Sequence, residues 1–155
     1  VYGLIYNINY SKVGNFYGKI KGRFMKVLLI KPGKKPETVD IEPGLESLQK
    51  MVDGNIQVVY PFEELVGLVM NEDGKLNGLP LNRALRDENG EIYDIIAGDF
   101  LVVGLTEDDF GSLSDELIEK YYKFFEYPEH FAFLNGQFYS RPYTDRELQA
   151  VNQED

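Results

Sequence analysis

The sequence contains no cysteine, no tryptophan and a single histidine, His130. The lack of cysteine excludes disulfides, thiolate catalysis and thiolate metal sites. One histidine cannot form a two-histidine metal site, and it leaves almost nothing from which to build a Ser-His-Asp triad. We therefore expect no metal and no cofactor, and the sequence favours a non-enzymatic function.

Long hydrophobic runs are also missing. The longest apolar runs, residues 27–30 and 100–103, are far shorter than the roughly 20 residues that a membrane-spanning helix needs. The start of the sequence has no basic head followed by an apolar stretch and a small-residue cleavage site, the pattern of a secretory signal. We expect a cytoplasmic protein with no membrane partner.

Basic residues are scarce: 16 Lys and Arg stand against 26 Asp and Glu, for a net charge of −10. Residues 1–24 carry four of the basic residues and no acidic one, so residues 25–155 carry −14. Nucleic acid repels a chain of this charge, and we expect no direct nucleic-acid binding. Two interpretations remain: the acidity keeps a small protein soluble, or an acidic face contacts basic protein surfaces.

The charge asymmetry also predicts two regions. Apolar residues alternate strictly from Tyr2 to Tyr10, which is typical of a strand, so residues 1–24 are predicted to be a basic β-like extension. An alternative is that these residues precede a native start at Met25, because the chain begins with valine. Residues 25–155 are predicted to form one domain that ends in a β-hairpin and a short helix.

The pattern of short apolar runs and turns predicts an α+β fold. We expect about seven or eight short strands in a mostly antiparallel sheet, with two or three short helices, too few for repeated βαβ units. Asn135-Gly136 between apolar runs predicts a hairpin, and Ser114 is the expected N-cap of a helix. Residues 76–87 are the least regular, and we expect one helical turn over residues 82–85.

Two arginines form the candidate ligand site. Arg83 and Arg86 lie within an acidic domain and could grip a phosphate or carboxylate, with Asn82 as a polar helper. Tyr60 could form a neighbouring wall of this site. The alternative, which we favour for the arginines, is that they pair with nearby carboxylates and brace an irregular loop.

An acidic run and excess aromatic residues form the candidate partner interface. Glu107, Asp108 and Asp109 are adjacent, and such a run is more often solvated surface than an acid–base pair. Aromatic residues crowd the helix before Pro128, and they cannot all point inward. We expect Phe124 or Tyr127 to form an exposed patch with the hairpin, for a partner protein or for a homodimer.

The order of motifs from Met25 to about Phe131 resembles domain-of-unknown-function family 3846. The segments that carry the resemblance are KVLLIKPGKKPE at 26–37, LESLQ at 45–49, VDGNI at 52–56, VYPF at 59–62 and GLPLNRALRDENGEIYDIIAGDF at 78–100. Its members are small proteins of Firmicutes phages, plasmids and conjugative elements. The resemblance implies an accessory gene of a mobile element, and it implies no activity and no catalytic residue.

Two functional hypotheses follow. The first is a non-enzymatic protein-binding module that engages a host or element protein, such as a defence factor, through its acidic and aromatic surface. The second is a small-ligand, nucleotide-like binding or sequestering protein that uses Asn82, Arg83, Arg86 and Tyr60.

Overall fold

The computed structural model describes residues 5–6 and 24–153. The rest of the predicted N-terminal extension lies outside the described residues. Residues 24–153 form ten strands and three helices, which confirms the α+β class and slightly exceeds the expected strand number. The strands are β1 (Ile5–Tyr6), β2 (Met25–Ile30), β3 (Glu37–Ile41), β4 (Ile56–Val59), β5 (Val66–Asn71), β6 (Leu81–Arg86), β7 (Ile92–Ala97), β8 (Phe100–Leu105), β9 (Phe110–Gly111), β10 (Glu129–Leu134) and β11 (Gln137–Pro142); the helices are α1 (Leu45–Val52), α2 (Asp115–Phe124) and α3 (Asp145–Gln153).

The main sheet is antiparallel and has the strand order β1-β4-β5-β8-β2-β3, with β9 paired to the end of β8. Its central strands β5 and β8 are almost entirely buried, which explains why their sequences are continuous apolar runs rather than alternating ones. The hairpins β6–β7 and β10–β11 form two further two-stranded sheets. The predicted antiparallel arrangement is confirmed.

Both faces of the main sheet are covered. Successive residues of a strand point to opposite faces, so Leu29 and Leu101 lie on one face and Leu28 and Val102 on the other. Helix α1 covers the first face. The second face is covered by α2 together with the hairpin β6–β7, which contribute Tyr121, Phe125, Leu85 and Ile96 to the core.

The helix ends have specific side-chain partners. Ser114 accepts a hydrogen bond from the backbone N–H of Leu117, as predicted for an N-cap. Thr144 and Glu147 exchange side-chain-to-backbone bonds of 3.2 and 3.1 Å, which is the capping box of α3. Helix α1 ends where Asn71 of β5 donates to the carbonyls of residues 52 and 53, 3.1 Å away in each case.

The helical turn predicted over residues 82–85 is wrong, because this segment is strand β6. Its pairing with β7 shifts register twice, and the extra residues are Asn82 in β6 and Tyr93 in β7. These bulges break the period-two pattern of a strand, so that Leu81, Ala84 and Leu85 fall at helix-like spacing. The same bulges set the directions of two side chains discussed below.

Candidate functional site

Asn82 and Arg83 lie at the buried junction between the main sheet and its second covering layer, each 1% exposed. The Asn82 amide donates to the carbonyls of Ile30 and Gly98, at 2.9 and 2.8 Å. The Arg83 guanidinium donates from Nε and Nη2 to the Phe125 carbonyl, at 3.1 and 2.8 Å, and from Nη2 to the Lys34 carbonyl at 2.7 Å. Together the two side chains connect β6 with the end of β2 and the loop after it, with the β7–β8 turn and with the end of α2.

The Arg83 guanidinium is a buried cation, and no carboxylate of the described residues is in direct contact with it. Burial lowers the pKa of Arg83 to about 10, while Glu129 and Tyr143 oppose that shift. The group therefore stays charged at neutral pH. Its third nitrogen, Nη1, bonds the Asn82 side-chain oxygen at 2.9 Å, so every guanidinium nitrogen has a partner inside the protein. In this geometry Arg83 braces the fold.

The structure does not bring Tyr60 to the arginines. Tyr60 follows β4 and packs with the core cluster beneath α1, on the face of the sheet opposite Arg83. Arg86 lies on the same strand as Arg83, but its side chain is 38% exposed and pairs with Glu129. The four predicted ligand-site residues therefore do not form one pocket.

Glu129 is the centre of a polar junction that sequence reasoning missed. Its side chain is only 8% exposed. It accepts the Ala84 backbone N–H at 2.9 Å, the Ser140 hydroxyl at 2.5 Å and Arg86 Nη2 at 2.9 Å. This carboxylate fastens the hairpin β10–β11 to β6. Nothing in the sequence around Glu129 signals this role, because its partners lie on two other strands.

A cavity of about 640 Å³ lies between the hairpins β6–β7 and β10–β11. Arg86 and Ser140, both bonded to Glu129, are in its wall. The remaining wall combines aromatic, aliphatic and charged side chains from both hairpins and from the β5–β6 connection.

The acidic run forms the turn between β8 and β9. Glu107 and Asp108 are exposed, whereas the Asp109 carboxylate accepts the Phe110 N–H at 2.7 Å and so helps to shape the turn. The Leu105 N–H donates to the Leu65 carbonyl at 3.0 Å, which places the loop 60–65 beside the turn. The Leu65 side chain is 69% exposed.

The same loop contacts the end of α2. Phe62 packs edge-on against Phe124, with ring centroids 5.2 Å apart, and Phe124 remains 60% exposed. We call the set Leu65, Phe124, Glu107, Asp108 and Asp109 the acidic–apolar face. Tyr127, the other predicted interface residue, lies beside α3, where its hydroxyl donates to Asp145 at 2.5 Å and its side chain is 40% exposed.

Glu64 fixes this loop to α2. Its carboxylate accepts hydrogen bonds from the Lys120 ammonium and the Tyr121 hydroxyl. The hydrogen bond from Lys120 is the largest cause that lowers the pKa of Glu64, and the bond from Tyr121 is the next. The pKa of Tyr121 is raised mainly by burial and secondly by its hydrogen bond to Glu64. The cluster is an anchor for the loop that carries Leu65.

His130 belongs to the C-terminal hairpin and helix. Its ring stacks on Tyr143, with centroids 4.2 Å apart, and contacts the Glu147 carboxylate. Arg141 is the main cause that holds the pKa of Glu147 well below its usual range. The residues that the structure describes contain no group of three side chains suited to a metal ion. None of the helices in residues 24–153 has the length and apolar character to cross a membrane.

A family model described as "Domain of unknown function (DUF3846)" matches residues 25–126. The chain belongs to the DUF3846 family. No curated protein and no solved structure matches the sequence. The acidic–apolar face lies entirely within the DUF3846 match, whereas the cavity has one wall inside the match and one wall, from β11, beyond it.

Proposed function

We propose that this DUF3846 protein is a non-enzymatic protein-binding module that holds a basic surface of a partner through its acidic–apolar face. The observation that carries the proposal is the exposure of two large apolar side chains, Leu65 at 69% in the anchored loop and Phe124 at 60% on the helix that this loop contacts. Exposed apolar groups with a polar rim are typical of protein interfaces.

The charge of the face defines the partner. Glu107 and Asp108 are exposed next to this loop, and residues 25–155 carry −14. Complementary charge accelerates encounter and selects partners, so a basic protein surface fits. Two copies of this face would repel each other, which favours a different protein over a homodimer formed through it.

The family resemblance suggests where the partner comes from. It implies an accessory gene of a mobile element, and such an accessory protein would act in the bacterial cytoplasm on a host or element protein. A host defence factor with a basic surface is the partner that we propose.

The test is charge reversal on the face with a matched reversal elsewhere. Glu107→Lys with Asp108→Lys changes two exposed carboxylates and leaves Asp109, which bonds the turn. Glu72→Lys with Asp73→Lys is the control, since this pair is also adjacent and exposed but follows the opposite end of β5.

Tagged proteins would be captured from the natural host and their partners quantified by mass spectrometry. We expect one partner to be retained by the wild type and by the control and lost by the Glu107 and Asp108 variant. Equal loss of the partner from both variants would mean that net charge alone retains it, and would refute binding through the acidic–apolar face.

A small-ligand function is the second candidate. The cavity between the two hairpins favours it, with Arg86 as the residue shared with the predicted ligand site. Asn82, Arg83 and Tyr60 contribute nothing to the wall of that cavity.

A further inference from the structure

The cavity between β6–β7 and β10–β11 has the size of a small-molecule site. Its volume of about 640 Å³ lies within the roughly 300–1,000 Å³ that is typical of such pockets. Glu129 joins the two hairpins through part-buried hydrogen bonds, which fix the relative position of the two walls.

Arg86 presents an oriented guanidinium to this cavity. Glu129 holds Nη2 at 2.9 Å, and Glu129 itself is held by Ala84 and Ser140. Within the described residues, Nε and Nη1 of Arg86 make no hydrogen bond. A guanidinium with a fixed direction and unused donors matches the geometry of a phosphate or carboxylate group.

Aromatic rings line the same space. Tyr93 is the extra residue of the bulge in β7, and bulges redirect side chains beside functional sites. It is 44% exposed, and Phe138 of β11, in the other wall, is 43% exposed. The Phe138 ring contacts Phe133 with centroids 4.7 Å apart, and its exposed part can stack a planar heteroaromatic group.

The charges of the wall limit the ligand further. Lys75 and Arg86 share the wall with the carboxylates Glu91 and Asp94; Lys75 pairs with Asp94, and Arg86 pairs with Glu129, which is not part of the wall. The Lys75–Asp94 pair is exposed, and exposed ion pairs are worth only about 0–1 kcal/mol, so a ligand anion can compete for Lys75. Three carboxylates against two cations, together with the chain charge of −10, oppose a triphosphate. The carboxylates can accept bonds from ligand hydroxyl or amine groups.

We propose that this cavity binds a nucleoside monophosphate. The phosphate lies on Arg86 and Lys75, the base stacks on Phe138, and hydroxyl or amine groups donate to Glu91 and Asp94. This inference rests on the second candidate function and is independent of partner binding at the acidic–apolar face.

The test is isothermal titration calorimetry of the full chain with AMP, GMP, CMP and UMP, and with inorganic phosphate and adenosine as partial ligands. We expect saturable binding of at least one monophosphate, at least tenfold tighter than either partial ligand. Arg86→Gln should weaken that binding by about tenfold to a hundredfold, as expected for lost charge-assisted hydrogen bonds. Phe138→Ala should weaken it by roughly tenfold.

Arg141→Gln is the matched control, because Arg141 alternates onto the other face of the same hairpin, bonds Glu147 and is absent from the wall. Lys75→Gln replaces Arg86→Gln if thermal unfolding shows that the latter loosens the hairpin. No saturable binding of any monophosphate, or equal losses from Arg86→Gln and Arg141→Gln, would overturn the proposal. Arg86→Gln should still capture the protein partner, so the two proposals can fail separately.

Discussion

The replacement Arg83→Met tests the brace at the centre of the fold. It removes the guanidinium, retains most of the side-chain volume, and takes the Arg83 donors away from the carbonyls of Phe125 and Lys34 and from the Asn82 side-chain oxygen. An unpaired buried acceptor costs about 1–3 kcal/mol, which gives about 2–6 kcal/mol for the two buried acceptors, the Phe125 carbonyl and the Asn82 oxygen. The Lys34 carbonyl bond is only part-buried, and removing a desolvated cation offsets some of the loss. We therefore expect a loss of about 2–4 kcal/mol in the free energy of unfolding.

The control is Arg86→Met, three residues along the same chain. Arg86 is 38% exposed, and Glu129 keeps its bonds from Ala84 and Ser140, so we expect a loss of about 0–1 kcal/mol. Urea unfolding followed by circular dichroism would give both values. If Arg83→Met lowers the free energy of unfolding no more than Arg86→Met does, the acceptors do not depend on the guanidinium, and the claim that Arg83 braces the fold is refuted.

Three further predictions concern anchors of the fold. The pKa of Glu64 is lowered from 4.5, so its stabilising contribution is present above about pH 4.5 and is lost as the pH falls below it. The loss of stability in Glu64→Gln should therefore shrink between pH 7 and pH 3, and a constant difference would contradict this. In Gly104→Ala the new Cβ would lie 2.3 Å from the Ser112 carbonyl oxygen. The control, Gly136→Ala, meets no neighbour and costs only about 1–2 kcal/mol of backbone strain. Thermal unfolding should therefore show a larger loss of stability for Gly104→Ala than for Gly136→Ala. Asn71→Ala should cost about 1–3 kcal/mol in urea unfolding, because two carbonyls at the end of α1 lose their donor; an unchanged midpoint would exclude that role.

The elements that sequence reasoning found are those with local signals. The apolar runs of β2 and β8, the Asn135-Gly136 turn and the Ser114 cap each depend on residues within a few positions of one another. Neighbouring residues determine these structures, so the sequence pattern alone was sufficient to predict them.

Strand β6 was not predictable in the same way. Its bulge at Asn82 is stabilised by hydrogen bonds to Ile30 and Gly98, which lie 52 and 16 residues away. The local pattern alone favoured a helical turn, and long-range contacts outweighed it.

In the candidate sites, too, features set by neighbouring residues were predictable and features set by long-range contacts were not. The exposure of Glu107, Asp108 and Phe124 agrees with the surface positions expected from the sequence. Leu65 directly precedes the apolar run of β5, and the sequence pattern does not distinguish its exposed side chain from the buried ones that follow. The partners of Arg83 lie 42 and 49 residues away and are backbone carbonyls, which leave no trace in side-chain patterns.

The most direct test of the proposed function is photo-crosslinking in the natural host. A photoreactive amino acid would replace Leu65 on the acidic–apolar face or, as the control, Leu76, which is 87% exposed and lies beyond the opposite end of β5. Leu76 offers an equally large exposed side chain away from the face. We predict a discrete crosslinked protein from position 65 and none of that mass from position 76. The same product from both positions, or no product from position 65, would contradict the account.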